Sequence, residues 1–220
     1  MEILNSVETK LGNTIELIGE PAEENVLIVG VVHGDEPQGK YLIEEYLKSQ
    51  SHMKSGRGVM FIPCLNPDGL QLGRRTNANN VDINRNFPTK NWGKNEGDNA
   101  TCDDETTNYF GGKSAGGEIE TRFLMDTINK YSTSLVMTIH APYKVVNYDG
   151  PAKDVAEMIS NIIKYPVEAS IGYPTPGSFG TWAGVERNIP TITLEIDEEI
   201  PVQQLVKPVF EIFDMLKLPL

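Results

Sequence analysis

The sequence predicts an α/β fold, a three-layer α/β/α sandwich in which helices cover both faces of a mixed, largely parallel central sheet. Three observations lead to this fold class. Short apolar runs, typical of strands buried on both faces, recur along the chain. Segments whose apolar residues follow a helical stripe separate these runs. The resulting alternation of strands and helices favours parallel pairing. Because no domain boundary interrupts the pattern, we expect residues 1–220 to form one domain.

The first half of the chain holds the opening elements. Residues 3–17 can form short strands around a turn at Gly12 and Asn13. Residues 26–32 are an uninterrupted apolar run, which is typical of a buried strand. The pattern then predicts a helix over about residues 37–50, a strand over 57–63 and a turn at 66–69.

The second half resumes the alternation after a long polar stretch. Residues 70–117 show little apolar periodicity and are rich in Asn, Gly and Asp, which is usual for a functional or a disordered segment. Within this stretch, residues 92–117 form an acidic, Gly-rich excursion. Beyond it the pattern predicts helices over 118–131, 154–164 and 201–217, strands over 134–139 and 191–196, and a Gly/Pro-rich loop over 172–184.

The composition excludes several classes of partner. The 220 residues carry a formal net charge of −12, whereas phosphate binding needs a basic surface, so nucleic acid is not expected. No apolar run approaches the ~20 residues of a membrane span, and no membrane association is expected. The first ten residues lack a basic segment followed by an apolar core, which favours a cytoplasmic location. Cys64 and Cys102 are far apart, and we expect both to be reduced thiols.

Chemistry-bearing side chains stand where predicted strands end. His33 and Glu36 follow the strand at 26–32, His140 follows the strand at 134–139, and Glu195 follows the apolar residues of the last strand. The carboxyl ends of strands in such a sheet meet at one edge, where α/β proteins place their sites. Two His and one Glu match a catalytic zinc site with an open fourth position, and a second Glu can act on the attacking water. The remaining histidine, His52, lies in a polar segment and is expected at the surface.

Arginines in the polar stretch point to an anionic substrate. The guanidinium is a rigid fork that suits carboxylates and oxyanions. Arg75 and Arg85 near a metal site therefore indicate a substrate with a carboxylate and a carbonyl oxygen that becomes negative during reaction. Arg74, the neighbour of Arg75, is the alternative residue for binding the carbonyl oxygen as it becomes negative.

With these residues in place, the chain resembles the zinc carboxypeptidases of the M14 family. The likeness spans about residues 26–196, and within the family it is strongest to the murein peptide amidase A group. The family motifs are HGDE at 33–36, NPDG at 66–69, Arg75, VDINRNFP at 81–88, His140 and TLE at 193–195; the group strings are IHAP at 139–142, NYDGPA at 147–152 and PGSFGTW at 176–182.

The resemblance implies a zinc carboxypeptidase-like fold and a site with one Zn²⁺ per chain. His33, Glu36 and His140 would be the metal ligands. Glu195 would be the general base toward the attacking water and then the general acid toward the leaving amine. Asp82 would brace the His33 ring from the side away from the metal.

The resemblance also implies the residues that contact the substrate. Arg75 would hold the scissile carbonyl oxygen, and Asn84 with Arg85 would bind the carboxylate of the leaving residue. Tyr173 would close over the substrate, although it could instead pack within the Pro-rich loop. Gly180 occupies the position of the family's pocket-floor residue, which would leave room for a long polar side chain. Asp149 is a candidate contact for a substrate amine, although its Asp-Gly-Pro sequence is also an ordinary turn.

The expected activity is that of a zinc-dependent amidopeptidase or carboxypeptidase acting on a small peptide with a free carboxylate. The group resemblance implies the γ-D-glutamyl–meso-diaminopimelate bond of murein tripeptide, cleaved during peptidoglycan recycling. The alternatives are an N-acyl amino-acid deacylase of the succinylglutamate desuccinylase or aspartoacylase type, a general metallocarboxypeptidase, and a binding module that has lost its chemistry. The intact set of His33, Glu36, His140 and Glu195 argues against the last of these.

Overall fold

A computed structural model describes residues 1–49, 56–93, 108–169 and 175–218. Within these ranges eight strands form one mixed sheet, in the order β1-β2-β4-β3-β5-β8-β6-β7. The strands are β1 (Glu2–Glu8), β2 (Thr14–Glu20), β3 (Asn25–Val29), β4 (Gly58–Ile62), β5 (Thr133–His140), β6 (Val145–Asp149), β7 (Val167–Glu168) and β8 (Thr191–Glu195). The helices are α1 (Gln38–Lys48), α2 (Pro67–Leu72), α3 (Ile119–Lys130), α4 (Lys153–Ile163) and α5 (Val206–Leu216).

The centre of the sheet is parallel and its flanks are antiparallel. Strands β4, β3, β5 and β8 run in one direction. On one side β2 pairs antiparallel with β4, and on the other β6 pairs antiparallel with β8. The predicted mixed, largely parallel sheet is thereby confirmed, and the carboxyl ends of its central strands meet at one edge.

Side chains that alternate along the strands build a core on each face of the sheet. On β3, Val26 and Ile28 point to the layer of α1, α4 and α5, while Leu27 and Val29 point to the layer of α3. All four side chains are fully buried. A strand covered on both sides must be apolar at every position, which is why residues 26–29 show no polar alternation in the sequence.

Three local differences from the sequence expectations have physical causes. The strand predicted over 26–32 ends at Val29, because Val31 adopts a left-handed backbone with φ 50°. The turn expected at 66–69 is the start of helix α2, since the Asn66 side chain accepts a hydrogen bond from the Gly69 N–H and caps the helix. The loop expected over 172–184 contains the beginning of a π-helical turn at Thr181–Val185.

Strand β6 was not predicted. It is five residues long, and polar side chains make up its second half, so it carries no apolar run of strand length. This strand is stabilised by its antiparallel pairing with β8, which the apolar and polar pattern of residues 145–149 does not reveal.

Two of the remaining expectations fall partly outside the described residues. Cys64 is a buried free thiol whose pKa burial raises to about 12, whereas Cys102 and His52 lie outside the described ranges. None of the helices in the described part of the chain is both long and apolar enough to cross a membrane.

Candidate active site

The carboxyl edge of the central strands brings the predicted metal ligands together. His140 is the last residue of β5 and Glu195 the last residue of β8, and the two face each other in the parallel register. His33 lies in the loop that follows β3, and Glu36 lies three residues further on. The edge predicted from the sequence is therefore the one that holds the polar cluster.

Backbone hydrogen bonds fix the loop that carries His33. The N–H of Asn66 donates to the carbonyl of Val31 over 2.9 Å, and the N–H of Gly34 donates to the carbonyl of Arg75 over 3.2 Å. The fully buried Asn66 amide also donates to the carbonyls of Val32 and Arg75. A side chain at Gly34 would lie 2.0 Å from the backbone of Gly69, so only glycine allows the loop to pack on α2.

His33, Glu36 and His140 converge on one point. Nδ1 of His33 lies 2.8 Å from Oε1 of Glu36, Nδ1 of His140 lies 2.9 Å from Oε2 of Glu36, and the two Nδ1 atoms are 3.1 Å apart. One ligand atom from each residue lies within 4.8 Å of the others. All three side chains are buried. Two imidazole nitrogens and a carboxylate meeting at such distances could hold a metal ion, and they are donors that suit zinc.

Asp82 links the cluster to an arginine. Its Oδ1 faces Nε2 of His33 at 3.3 Å, and its Oδ2 accepts a hydrogen bond from Nε of Arg75 over 3.0 Å. The carboxylate is fully buried. It can thus fix the orientation of the His33 ring and the position of the Arg75 guanidinium at once.

The charges of this cluster set its protonation. Burial alone would raise the pKa of Glu36, but His33 and His140 beside it hold that pKa well below its ordinary value. Burial would likewise raise the pKa of Asp82, and Arg75 with His33 holds it far below. Burial would lower the pKa of Arg75, yet Asp82 and Glu36 raise it. Both carboxylates are therefore ionised at neutral pH, as a ligand and its supporting acid must be.

Glu195 sits beside the cluster in a different state. Burial raises its pKa, and the nearby Glu36 acts in the same direction. Its Oε2 is buried and has no hydrogen-bond partner among the described residues. A carboxyl group with a raised pKa that lies next to a candidate metal site can accept a proton and return it.

Asn84 and Arg85 line the cavity from a single helical turn at Ile83–Arg85. The side-chain oxygen of Asn84 accepts from the Phe179 N–H, and Nη1 of Arg85 donates to the carbonyl of Asn84. Arg85 is 1% exposed. Between the two neighbours Arg74 and Arg75, the structure brings Arg75 to the cavity, while Arg74 donates to the carbonyl of Asn77.

Asp149 and Gly180 meet at another wall of the cavity. A Cβ atom on Gly180 would lie 2.1 Å from Oδ2 of Asp149, and one on Gly184 would lie 2.4 Å from the Asp149 Cβ. The room that glycine leaves at position 180 is thus where the Asp149 carboxylate lies. No described residue donates a hydrogen bond to that carboxylate, and burial raises its pKa.

The cavity that these residues line has a volume of about 340 Å³. Tyr173, the expected cover, lies outside the described residues. Several lining residues have no motif-level signal in the sequence because they come from segments of mixed composition. They are Tyr109, Tyr143 and Glu198. Asp35, Asn147, Ser178 and Thr193 also line the cavity, and they lie within the motif strings without having been singled out there.

An α/β sheet with a buried His-Glu-His cluster at its carboxyl edge fits a metal-dependent hydrolase. The sequence pattern of the M14 peptidase family, zinc carboxypeptidase, matches residues 4–156. The chain therefore belongs to the zinc carboxypeptidase family, and it is a metallopeptidase.

Related proteins agree with this family. The murein peptide amidase A of Escherichia coli strain K12 is 34% identical over 177 residues, which cover 79% of this chain and 72% of that protein. The crystal structure of the murein-tripeptide amidase MpaA from E. coli O157 superposes with a TM-score of 0.80 at 28% identity, covering 99% of this chain and 93% of that one. A carboxypeptidase A from Helicoverpa armigera has the same fold, with a TM-score of 0.74 at 16% identity, over 98% of this chain and 67% of that one.

Proposed function

We propose that the chain is a zinc-dependent amidopeptidase that hydrolyses the γ-D-glutamyl–meso-diaminopimelate bond of murein tripeptide, and that it does so in the cytoplasm during peptidoglycan recycling. Two related proteins with amidase names support the substrate class. The observation that carries the proposal is that one cavity is lined by both the Arg85 guanidinium and the Asp149 carboxylate, to which no described residue donates a hydrogen bond. Diaminopimelate offers a carboxylate to the first and a distal amine to the second.

The ligand set fits a single zinc ion. His33 and His140 would each supply Nδ1, and Glu36 would supply its carboxylate, while Asp82 holds the His33 ring from behind. The fit is supported by the chemistry of the donors, since two imidazoles and one carboxylate leave a position free for substrate. When bound, zinc supplies Lewis-acid polarisation of the scissile carbonyl and activation of the attacking water.

Arg75 and Glu195 would perform the proton and charge steps that fall to the protein. Arg75 is held in place by Asp82 and would donate to the carbonyl oxygen as negative charge develops there. The Oε2 atom of Glu195 has no hydrogen-bond partner in the described part of the chain, and it would take the proton from the attacking water. The same carboxyl group would then protonate the departing amine.

Asn84, Arg85 and Asp149 would bind the leaving residue. Arg85 and Asn84 would grip the carboxylate next to the scissile bond, with Arg85 supplying two parallel donors. Asp149 would bind the distal amine, and Gly180 would leave the space in which the carboxylate and that amine meet. Tyr173 would cover the bound peptide.

The test measures zinc content and hydrolysis of L-Ala-γ-D-Glu-meso-diaminopimelate on the same preparation, before and after chelation. We expect about one zinc per chain and release of diaminopimelate that stops on chelation and returns with zinc. Zinc without release would refute the substrate and leave the metallopeptidase. A panel of N-acyl amino acids and of C-terminally extended peptides on that preparation then separates a deacylase from a general carboxypeptidase.

A further inference from the structure

The ring of Tyr109 contacts both arginines of the cavity. The Cζ atom of Arg75 is 5.4 Å from the ring centroid, and the Cζ atom of Arg85 is 5.7 Å from it. Both distances fall within the ~6 Å at which an aromatic face attracts a guanidinium. Tyr109 also lines the cavity, and it comes from the end of the acidic excursion, a segment to which the family motifs assign nothing.

The backbone that carries Tyr109 is fixed to the stretch that carries Arg85. The N–H of Asp82 donates to the carbonyl of Phe110 over 2.8 Å, and the side chain of Asn86 donates to the carbonyl of Gly111 over 2.7 Å. Phe110, the residue that follows Tyr109, is buried. The ring is therefore held in a defined place relative to Asp82, which in turn holds Arg75.

An aromatic ring can offset the repulsion between the two guanidinium groups. Two guanidiniums that share one small cavity repel each other, and the mutual repulsion favours conformations in which one of them swings away. A carboxylate between them would relieve the repulsion but would compete with the substrate for the same donors. A ring face attracts both cations through its quadrupole and leaves their N–H groups available.

We propose that Tyr109 is a positioning residue that holds Arg75 and Arg85 in place together, so that one binds the scissile carbonyl oxygen while the other binds the leaving carboxylate. The roles of the two arginines rest on the proposed function above. The ring-to-guanidinium contacts themselves do not, and the experiment below separates the two.

The first part of the experiment is kinetic and uses the zinc-loaded protein. Tyr109→Leu removes the ring, and we expect kcat/KM for the tripeptide to fall roughly 5- to 30-fold, the value for two cation–π contacts. Because the ring contacts both arginines, the loss should divide between a higher KM and a lower kcat. Tyr109→Phe keeps the ring and should retain most of the activity of the unaltered protein. The zinc content should be unchanged in both variants. Full activity of Tyr109→Leu would overturn the proposal.

The second part needs no substrate. Urea unfolding of Tyr109→Leu, Arg85→Gln and the double variant forms a double-mutant cycle, and we expect the two changes to be coupled rather than additive. Additive changes would overturn the proposal. Coupling in a chain that releases no diaminopimelate would refute the tripeptide function and support the positioning role. If Tyr109→Leu does not fold, Tyr109→Gln replaces it in both parts.

Discussion

The two sides of the cavity differ in how many partners their charged groups have. On the metal side, Asp82 contacts both His33 and Arg75, and Glu36 contacts both histidines, so each charged group has an opposite partner. On the substrate side, no described residue donates a hydrogen bond to the carboxylate of Asp149.

Two further side chains that line the cavity have buried atoms without hydrogen-bond partners among the described residues. These atoms are Nε of Arg85 and Oε2 of Glu195. On the metal side Nε2 of His33 also has no hydrogen bond among these residues, but it faces the Asp82 carboxylate at 3.3 Å. Buried polar groups in proteins are normally hydrogen-bonded, so unpaired ones call for an explanation. The metal side is already ordered by its own contacts, whereas the substrate side keeps its donors and acceptors for a ligand. The predictions below test this division, in order of decreasing effect on activity.

Glu195→Gln should lower the activity most, because it removes the carboxylate that would transfer the proton. We expect kcat to fall roughly 10²- to 10⁴-fold while zinc content stays the same. The measurement is diaminopimelate release together with metal analysis on one sample. Glu198→Gln is the matched control, since Glu198 also lines the cavity but is exposed, and it should keep most of the activity. Unchanged turnover in Glu195→Gln would remove that residue from its proposed role.

Asp149→Asn should affect selectivity. A hydrogen-bonded charge pair contributes about 1.5–3 kcal/mol, so kcat/KM for a substrate with a distal amine should fall roughly 10- to 150-fold. A substrate whose leaving residue is alanine should lose little, and the ratio of the two rates is the measurement. Asp154→Asn, which changes an exposed acid on α4, is the control. Equal losses on both substrates would mean that Asp149 acts on the fold and not on the amine.

Asp82→Asn should weaken the metal side. The loss of a group that braces a metal-bound histidine typically lowers metal affinity roughly 10- to 100-fold. Competition with a chelator measures this affinity directly, without an activity assay. Asp35→Asn is a suitable control, because Asp35 is exposed and stands between the two ligands of the same loop. If Asp82→Asn binds zinc as tightly as the unaltered protein, the contact between Asp82 and His33 contributes nothing to the site.

Glu120 offers a buried acid outside the cavity, with no expected effect on turnover. It is 2% exposed and accepts a hydrogen bond from Asn77, and burial raises its pKa to about 7, with Glu118 and Asp68 adding to the shift. The folded chain therefore keeps a proton that the unfolded chain releases near pH 4.5. The contribution to stability is present below about pH 4.5 and is lost as the pH rises through 7.

Glu120→Gln should remove this pH dependence. Its melting temperature should fall less than that of the unaltered protein between pH 5 and pH 8, while its tripeptide turnover stays the same. Thermal melts at several pH values measure the difference. Identical slopes in the two proteins would mean that Glu120 is ionised in the folded state across this range.

The sequence predicts the metal side better than the substrate side, for a physical reason. His140 ends β5 and His33 lies in the loop that follows β3, and the pairing of these two parallel strands brings both residues to one edge of the sheet. Strand order and residue type therefore predict that the cluster forms, and the contacts of the His33 loop complete it.

The substrate side depends on contacts between distant segments. Tyr109 reaches the cavity only because Phe110 pairs with Asp82 across the excursion. Asp149 reaches it because β6 joins the sheet next to β8, and this strand has too few apolar residues to be predicted. Neither pairing has a periodic signature in the sequence. The family resemblance names Asp149 as a candidate, but its place in the cavity and the whole contribution of Tyr109 are found only in three dimensions.

The buried side-chain amide of Asn66 has a consequence for the heat inactivation of the protein. It donates to the carbonyls of Val32 and Arg75 and caps α2, so one side chain connects the loop of the candidate ligand His33 to the backbone of Arg75. Because the Gly34 N–H also donates to the carbonyl of Arg75, we expect the two segments to open together on heating. Metal release and loss of turnover should then follow one time course, and a partly inactivated sample should be a mixture of fully active and fully inactive molecules.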